Sequence, residues 1–159
     1  IDSAVRHWRP APGIEITLEG NPSSVESANY ATLASAGVNR VSLGLQAMDD
    51  RTLDFLGRIH DAEEGLAALE VAQQHSAVSF DLIYALPGQT QEQWRADLLR
   101  AIGLGTSHLS LYQLTIEPGT RFETMVRRGH FTPLNDDAAA DLFALTREIT
   151  GQLGLSAYE

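Results

Sequence analysis

Apolar and polar residues alternate strictly in two short stretches of the chain, 14–19 and 41–46. Successive side chains of a β-strand point to opposite faces, so this alternation predicts two strands, each with one apolar and one polar face. A third stretch, 78–86, is more continuously apolar, which is typical of a strand covered on both faces. Further strands are predicted over 108–114 and over 155–159, where the sequence stops.

Helical spacing of apolar residues, together with capping residues, accounts for the intervals between the predicted strands. An N-cap side chain with Glu or Gln three residues later forms a capping box, which marks the start of a helix. Spacing and capping together predict five helices, with N-caps at Ser23, Asp49 or Asp50, Asp61, Thr90, and Asn135 or Asp136. The apolar stripe of the last helix is expected to include Leu142, Ile149 and Leu153, and Trp94 is interpreted as a core residue.

Strands and helices alternate four times, with successive strands about 30 to 40 residues apart, as in βα units. Such units place parallel strands in one sheet, which either closes into a barrel or stays open with helices on both faces. The polar faces of the first two strands favour a barrel, because a barrel lumen accepts small and polar side chains. Four strands cannot close a barrel of about eight. The pattern therefore predicts an α/β fold that forms an arc of a βα barrel.

Composition narrows the range of partners. The chain has 159 residues, of which 43% are hydrophobic, and a net charge of −10. Nucleic acid and anionic membranes are poor partners for so acidic a surface. The sequence contains no cysteine, so disulfides and cysteine-ligated metals are excluded within these residues. No apolar run approaches the roughly 20 residues of a transmembrane segment, and no signal peptide is recognisable, so we expect a cytoplasmic protein.

Polar side chains occur at or near the ends of the predicted strands. They are Glu19, Gln46, Asp81 and, less clearly, Gln113, with Arg58 one short helix beyond the second strand. The carboxyl ends of parallel strands carry ligand chemistry in α/β folds. Two carboxylates, carboxamides and a guanidinium suit a zwitterionic, hydroxyl-rich ligand, because carboxylates bind ammonium and hydroxyl groups and arginine binds a carboxylate.

Some polar residues of the predicted strands have a simpler interpretation. Gln113, and Glu15 in the first strand, would be ordinary solvated residues. Asp81 would form a structural ion pair with an arginine, since a carboxylate in an apolar strand costs several kcal/mol without a partner. His60 precedes a helix and is interpreted as a surface or capping residue. No metal-binding, nucleotide-binding or nucleophile motif is present, so the pattern alone predicts neither a catalytic residue nor a metal ligand.

Five longer segments resemble one known family, the radical S-adenosylmethionine (SAM) proteins of the oxygen-independent coproporphyrinogen III oxidase-like group. The segments are EITLEGNP (15–22), GVNRVSLGLQ (37–46), LGRIH (56–60), FDLIYALPGQT (80–90) and LSLYQLTIEPGT (109–120). The resemblance runs from about residue 13 to the end of the sequence, with the segments in the order typical of the family.

This resemblance implies a partial (β/α)6 barrel of the radical SAM type, with SAM and a [4Fe-4S] cluster at the carboxyl ends of the strands. It assigns SAM binding to Glu19, Gln46, Arg58 and Asp81, and a backbone contact to the chain near Thr115. The set found from strand alternation and the set implied by the family are largely the same.

The resemblance also implies that residues 1–159 are an internal segment of a longer protein. They would correspond to about the third to sixth βα units and the start of the C-terminal region. The family's cluster motif, CxxxCxxC, and its Gly-rich SAM-binding segment would precede Ile1, and its haem-associated H-N-x-x-Y motif would follow Glu159. Two positions depart from the family pattern: Gly20 stands where Ala is usual, and Ala85 stands where Gly is usual.

Segments 57–60 and 112–120 resemble the haem-chaperone branch of the group more than the oxidase branch. That branch implies that the full-length protein binds haem and transfers it to acceptor proteins, with dimerisation left open. One alternative is a coproporphyrinogen III oxidase that decarboxylates propionates oxidatively, so enzymatic activity is also left open. A further alternative is a barrel enzyme without iron, such as a lyase, in which Asp81 and Glu19 act as acid and base.

Overall fold

The computed structural model describes residues 1–22 and 29–158. Within those ranges the strands are β1 (Thr17–Gly20), β2 (Arg40–Gln46), β3 (Ala77–Tyr84) and β4 (His108–Gln113). They are adjacent in the order β1-β2-β3-β4 and run parallel. A parallel pair needs a crossover between its strands, so the sheet order follows from the βα alternation predicted by the sequence.

The helices of the described residues occupy the intervals between the strands and continue after β4. They are α1 (Asp2–His7), α2 (Tyr30–Ser35), α3 (Asp50–Leu56), α4 (Ala62–Gln73), α5 (Gln91–Gly103), α6 (Arg121–Arg127) and α7 (Asp136–Gln152). The capping boxes predicted at Asp61 and Thr90 are both present, and Asp49 and Asn135 are the N-caps of their helices. The helix start predicted at Ser23 lies outside the described residues.

The predicted bounds of the first strand are wrong at its amino end. β1 begins at Thr17 rather than at Ile14, because the side chain of Asn39 occupies the backbone groups of the residues before it. The Ile16 amide donates to Asn39 Oδ1 at 2.7 Å, and Asn39 Nδ2 donates to the Ile14 carbonyl at 2.8 Å. A side-chain amide therefore replaces strand pairing there.

The carboxyl-terminal predictions also need correction. Residues 155–158 form no strand; instead the Leu155 amide donates to the Thr150 carbonyl at 2.8 Å and closes the end of α7. Leu153, predicted to belong to the apolar stripe of this helix, is 50% exposed, whereas Thr146 and Thr150 are buried. Both threonines donate their hydroxyls to helix carbonyls four residues earlier, which satisfies them inside the core.

The described residues form two compact units. The first contains Ile1–Asp81 with His108–Ser110, and the second contains Leu82–Ser107 with Leu111–Glu159, so β3 and β4 each contribute to both. In the second unit, α5 packs on α7. Trp94 is buried there, as predicted: its ring stacks on Tyr84 at 5.1 Å and its Nε1 donates to Thr146 Oγ1 at 2.7 Å. Within residues 1–22 and 29–158, no helix has the length and hydropathy that crossing a membrane requires.

In the first unit, α4 packs on β2 through a close approach at Gly65. A Cβ atom built on Gly65 would lie 2.6 Å from Leu45 Cδ1 and 3.7 Å from His60 Cδ2. Leu45 is only 1% exposed, so moving its side chain aside would disturb the packing around it. A larger residue than glycine is therefore disfavoured here for a steric reason.

Replacing Gly65 with alanine in the full chain should lower the free energy of unfolding by about 1–3 kcal/mol, because the added methyl group overpacks the contact with Leu45. The matched control is Gly151→Ala in α7, where nothing lies within 4 Å of the added atom. That control should gain up to about 1 kcal/mol from helix propensity. Urea unfolding measures both, and equal stability of the two variants would contradict the close contact.

Candidate functional site

The alternation predicted for β2 is confirmed and gives this strand two different faces. Val41, Leu43 and Leu45 are at most 1% exposed. Ser42 lies on the opposite face and is partly exposed. The parallel register places Glu19 of β1 opposite Ser42, and paired residues of neighbouring strands share a face. Glu19 therefore projects from the polar side of the sheet.

Residues of β3 and β4 extend this polar side within the first unit. Arg40 donates from Nη2 to Ser79 Oγ at 3.2 Å and forms an ion pair with Glu15 at 3.3 Å. Asp81 follows Ser79 by two residues and so lies on the same face. Its carboxylate accepts a hydrogen bond from the Ser110 hydroxyl of β4. We call the following set the polar face: Glu19, Ser42, Ser79, Asp81 and Ser110.

Asp81 is the electrostatic centre of the polar face. Burial raises the pKa of its carboxyl group above the ordinary value of 3.8, and the negative charge of Glu19 adds to the rise. The Ser110 hydrogen bond and the charges of His108 and Arg58 lower this pKa and so oppose the rise. Charge effects weaken with distance, so Glu19, His108 and Arg58 are near enough to Asp81 to act on its charge. The Ser110 hydroxyl has a larger effect than Arg58, so an arginine ion pair is not the main contact of Asp81.

Gln46 ends β2 in an uncommon backbone conformation. Its φ is 69°, in the left-handed region that glycine favours, and its side chain is buried. A Cβ atom built on Gly44 would lie 3.0 Å from Gln46 Nε2 and 3.8 Å from the Gly20 carbonyl oxygen. The carboxamide is therefore folded back over Gly44, beside the residue that follows Glu19 in β1.

Arg58 lies in the short connection between α3 and α4. Gly57, with φ of 75°, ends α3 in the left-handed conformation, and the Arg58 amide donates to the Leu53 carbonyl at 2.9 Å. On the other side of the connection, Asp50 Oδ1 accepts from the Ala62 amide at 2.8 Å. These contacts fix the backbone on both sides of Arg58.

Four of the five residues predicted to bind a ligand lie in the same compact unit, and two of them, Glu19 and Arg58, act on the charge of a third, Asp81. Glu19, Gln46, Arg58 and Asp81 all belong to the first unit. Thr115 follows β4, belongs to the second unit and is exposed there. Gln113, the less clear candidate at the end of β4, is also exposed in the second unit.

Three residues near the site were missed or misread from the sequence. Ser110 and His108 act directly on Asp81, and their positions two residues apart in β4 would have placed them on one face. The interpretation of His60 as a surface or capping residue is wrong, since it is 7% exposed and its Nε2 contacts the Leu45 carbonyl at 3.3 Å.

The described ranges offer no set of three or more His, Cys, Asp or Glu side chains arranged to hold a metal ion. With no cysteine in the sequence, these residues do not fit an iron–sulfur cluster. The polar face, taken together with Gln46 and Arg58, fits a different ligand type. Two carboxylates, a carboxamide and a guanidinium suit an organic molecule that carries both positive and negative groups.

Comparison with known proteins gives the family. Residues 2–101 match the family described as the Radical SAM superfamily. This match covers more than half of the 159 residues, so the chain belongs to the radical SAM superfamily.

Curated relatives match most of the chain. It is 43% identical over 148 residues to the heme chaperone HemW of Haemophilus influenzae, which covers 92% of this chain and 38% of that protein. It is 40% identical over 147 residues to radical S-adenosyl methionine domain-containing protein 1, mitochondrial, of Mus musculus, covering 91% of this chain and 33% of the relative. The chain thus spans between 33% and 38% of the length of these two relatives.

Solved structures share the fold. Coproporphyrinogen III oxidase (HemN) from Escherichia coli, a radical SAM enzyme, matches with a TM-score of 0.72 and 26% identity over 88% of this chain and 32% of its own. Elp3 from the archaeon Methanocaldococcus infernus matches with a TM-score of 0.73 and 21% identity over 86% of this chain and 33% of its own, which bears on the fold alone. The predicted α/β fold, a partial βα barrel of the radical SAM type, is confirmed.

Replacing Asp81 with asparagine should change stability in a pH-dependent way. The folded-state pKa of Asp81 is raised, so ionising this group costs folding free energy. The cost is absent below the ordinary pKa, 3.8, grows as the pH rises through it, and is complete above the folded pKa. Asparagine removes the cost. The free energy of unfolding of Asp81→Asn relative to wild type should therefore rise between about pH 3 and pH 7.

Glu92→Gln provides a control of opposite sign. The backbone amide of Glu92 itself and the Thr90 hydroxyl lower the pKa of this carboxyl group. Ionised Glu92 therefore stabilises the fold above its ordinary pKa, and the stability of the glutamine variant relative to wild type should fall as the pH rises. Urea unfolding of the full chain across the same pH range measures both slopes. A flat or falling difference for Asp81→Asn would contradict the electrostatics of the polar face.

Proposed function

We propose that this chain is the SAM-binding part of a HemW-like protein, which in its full length binds SAM and a [4Fe-4S] cluster and transfers haem to acceptor proteins. Membership of the radical SAM superfamily supports the binding of SAM and a cluster, and 43% identity to a protein named heme chaperone HemW supports the transfer of haem. The observation that carries the proposal is that Glu19 and Arg58 both act on the charge of Asp81, while the Gln46 carboxamide folds back over Gly44 at the end of β2.

The chemistry of the polar face, taken together with Arg58 and Gln46, fits SAM. Asp81 and Glu19 repel each other, and burial adds to the free energy of keeping Asp81 ionised. A ligand with positive charge relieves this repulsion, and SAM carries both an ammonium and a sulfonium group. Arg58 is suited to the methionine carboxylate, and the Gln46 carboxamide both donates and accepts hydrogen bonds. The backbone contact that the family resemblance assigns near Thr115 stays a separate prediction, since Thr115 belongs to the second unit.

The cluster is assigned to another part of the protein. The described residues offer no ligand set for it, and the matched region covers only 38% and 33% of the two relatives' length. We therefore propose that residues 1–159 correspond to about the third to sixth βα units, with the cluster-binding cysteines before them. SAM bound to a reduced cluster is a source of the 5′-deoxyadenosyl radical. A reading frame without CxxxCxxC upstream of these codons would count against this arrangement.

A second candidate is a coproporphyrinogen III oxidase. The structural match to HemN, with a TM-score of 0.72 and 26% identity, favours it. We rank the oxidase second because the chain is 43% identical to a heme chaperone and only 26% identical to HemN. An iron-free barrel enzyme finds no support, because the chain belongs to the radical SAM superfamily. A cytoplasmic location is part of the proposal for this chain, although several relatives are named as mitochondrial.

Asp81→Ala and Gln46→Ala in the full-length protein should each weaken SAM binding about ten- to a hundredfold, because each removes a hydrogen bond to a charged or polar group of the ligand. Calorimetric titration with SAM measures the affinity. Asp54→Ala removes an exposed carboxylate from α3 and should bind like wild type. Wild-type affinity in both site variants would reject their assignment.

A haem chaperone and an oxidase give opposite results in a paired assay. Full-length protein should bind haem, seen as a shift of the haem absorbance band. It should form no protoporphyrinogen from coproporphyrinogen III when SAM and a reductant are present. Escherichia coli HemN, named as a coproporphyrinogen III oxidase, is the positive control for turnover. Protoporphyrinogen formation by this protein would favour the second candidate over the first.

A further inference from the structure

The end of β2 forms a tight turn whose central residue is Gln46. The Ala47 amide donates to the Leu45 carbonyl at 2.9 Å, and Gln46 between them has φ of 69°. A hydrogen bond between residues two apart, with a positive φ at the middle residue, defines the rarer and strained form of the γ-turn. A non-glycine residue persists in such a conformation only when its surroundings hold it.

The surroundings of this turn include the imidazole of His60. Its Nε2 lies 3.3 Å from the same Leu45 carbonyl oxygen that closes the turn. A carbonyl oxygen only accepts hydrogen bonds, so His60 donates from Nε2–H and the ring carries its proton there. The ring is 7% exposed, so few water molecules compete for the contact.

His60 also belongs to the connection that carries Arg58, two residues earlier. The backbone on either side of this connection is fixed by the Arg58 amide bond to Leu53 and by the Ala62 amide bond to Asp50. Gly65 leaves room for the Leu45 side chain and the His60 ring to lie side by side, since a Cβ at this position would contact both. One imidazole thus joins the turn that holds Gln46 to the connection that holds Arg58.

We propose that His60 is a positioning residue for the ligand site: by donating to the Leu45 carbonyl it holds the γ-turn that folds Gln46 over Gly44, and it fixes this turn relative to Arg58. The inference rests on the proposed function, because SAM is the ligand that Gln46 and Arg58 are proposed to bind. His60 itself acts through its neighbours. A role in packing alone would need the shape of the ring but not its N–H group.

Two variants separate the hydrogen bond from the shape of the ring. His60→Gln keeps an N–H donor at a reach similar to Nε2 but removes the ring, whereas His60→Phe keeps a ring and removes the donor. In the full-length protein, SAM affinity measured by calorimetry should stay within about threefold of wild type for His60→Gln. It should fall about tenfold for His60→Phe. His75→Phe, at an exposed histidine that follows α4, is the matched control and should bind like wild type.

A second measurement follows the turn without any ligand. Hydrogen exchange at the Ala47 amide should be faster in His60→Phe than in wild type and unchanged in His60→Gln, while amides in the middle of β2 keep their wild-type rates. If His60→Phe fails to fold, His60→Gln alone decides: near-wild-type affinity and exchange support the proposal, and a tenfold loss of affinity overturns it.

The outcomes also separate this inference from the proposed function. Wild-type protein that fails to bind SAM rejects the proposed function, and the exchange rates at Ala47 still report whether His60 holds the turn. If wild-type protein binds SAM and His60→Phe binds it more tightly than His60→Gln does, the proposed function stands and the positioning role of His60 is overturned.

Discussion

The site depends on the parallel pairing of β1 with β2 and on the different character of the two faces of β2. Val41, Leu43 and Leu45 bury one face almost completely, so the strand cannot slip by one residue without exposing all three. That register is what places Glu19 opposite Ser42 and the polar face on a single side. Burial of apolar area, which has no direction of its own, thereby determines where the polar side chains point.

The polar face and the residues that end β2 and follow β3 are built at a cost to stability. Like charges at Glu19 and Asp81, together with burial, disfavour the ionised pair, and Gln46 and Ala85 hold positive φ angles without being glycine. Ala85 follows β3 with φ of 59°, a conformation that glycine adopts more easily, which agrees with the glycine that the family resemblance implies at this position. Strain and charge repulsion are common where a fold prepares a site for a ligand, because the ligand then supplies the missing interaction.

The sequence predicts what depends on local pattern and misses what depends on partners far along the chain. The capping boxes at Asp61 and Thr90 and the buried face of β2 follow from spacing alone, and all are present. The start of β1 was misplaced because Asn39, more than 20 residues away, takes over the backbone groups of 14–16. His60 was misread for the same reason, since its acceptor lies 15 residues earlier in β2. The family resemblance predicts a set of site residues, but it does not predict the hydrogen bond from Ser110 to Asp81, which depends on how β3 and β4 are aligned.

The two tryptophans of the chain differ in solvent exposure, so each can serve as an intrinsic fluorescence probe. Trp8 belongs to the first unit and is 73% exposed, whereas Trp94 belongs to the second, is 2% exposed and stacks on Tyr84. Indole emission shifts to longer wavelength in water, and soluble quenchers reach only accessible rings. Fluorescence of the unmodified chain therefore contains one quenchable red component and one shielded blue component. Loss of the shielded component during denaturation reports the opening of the second unit separately from the first.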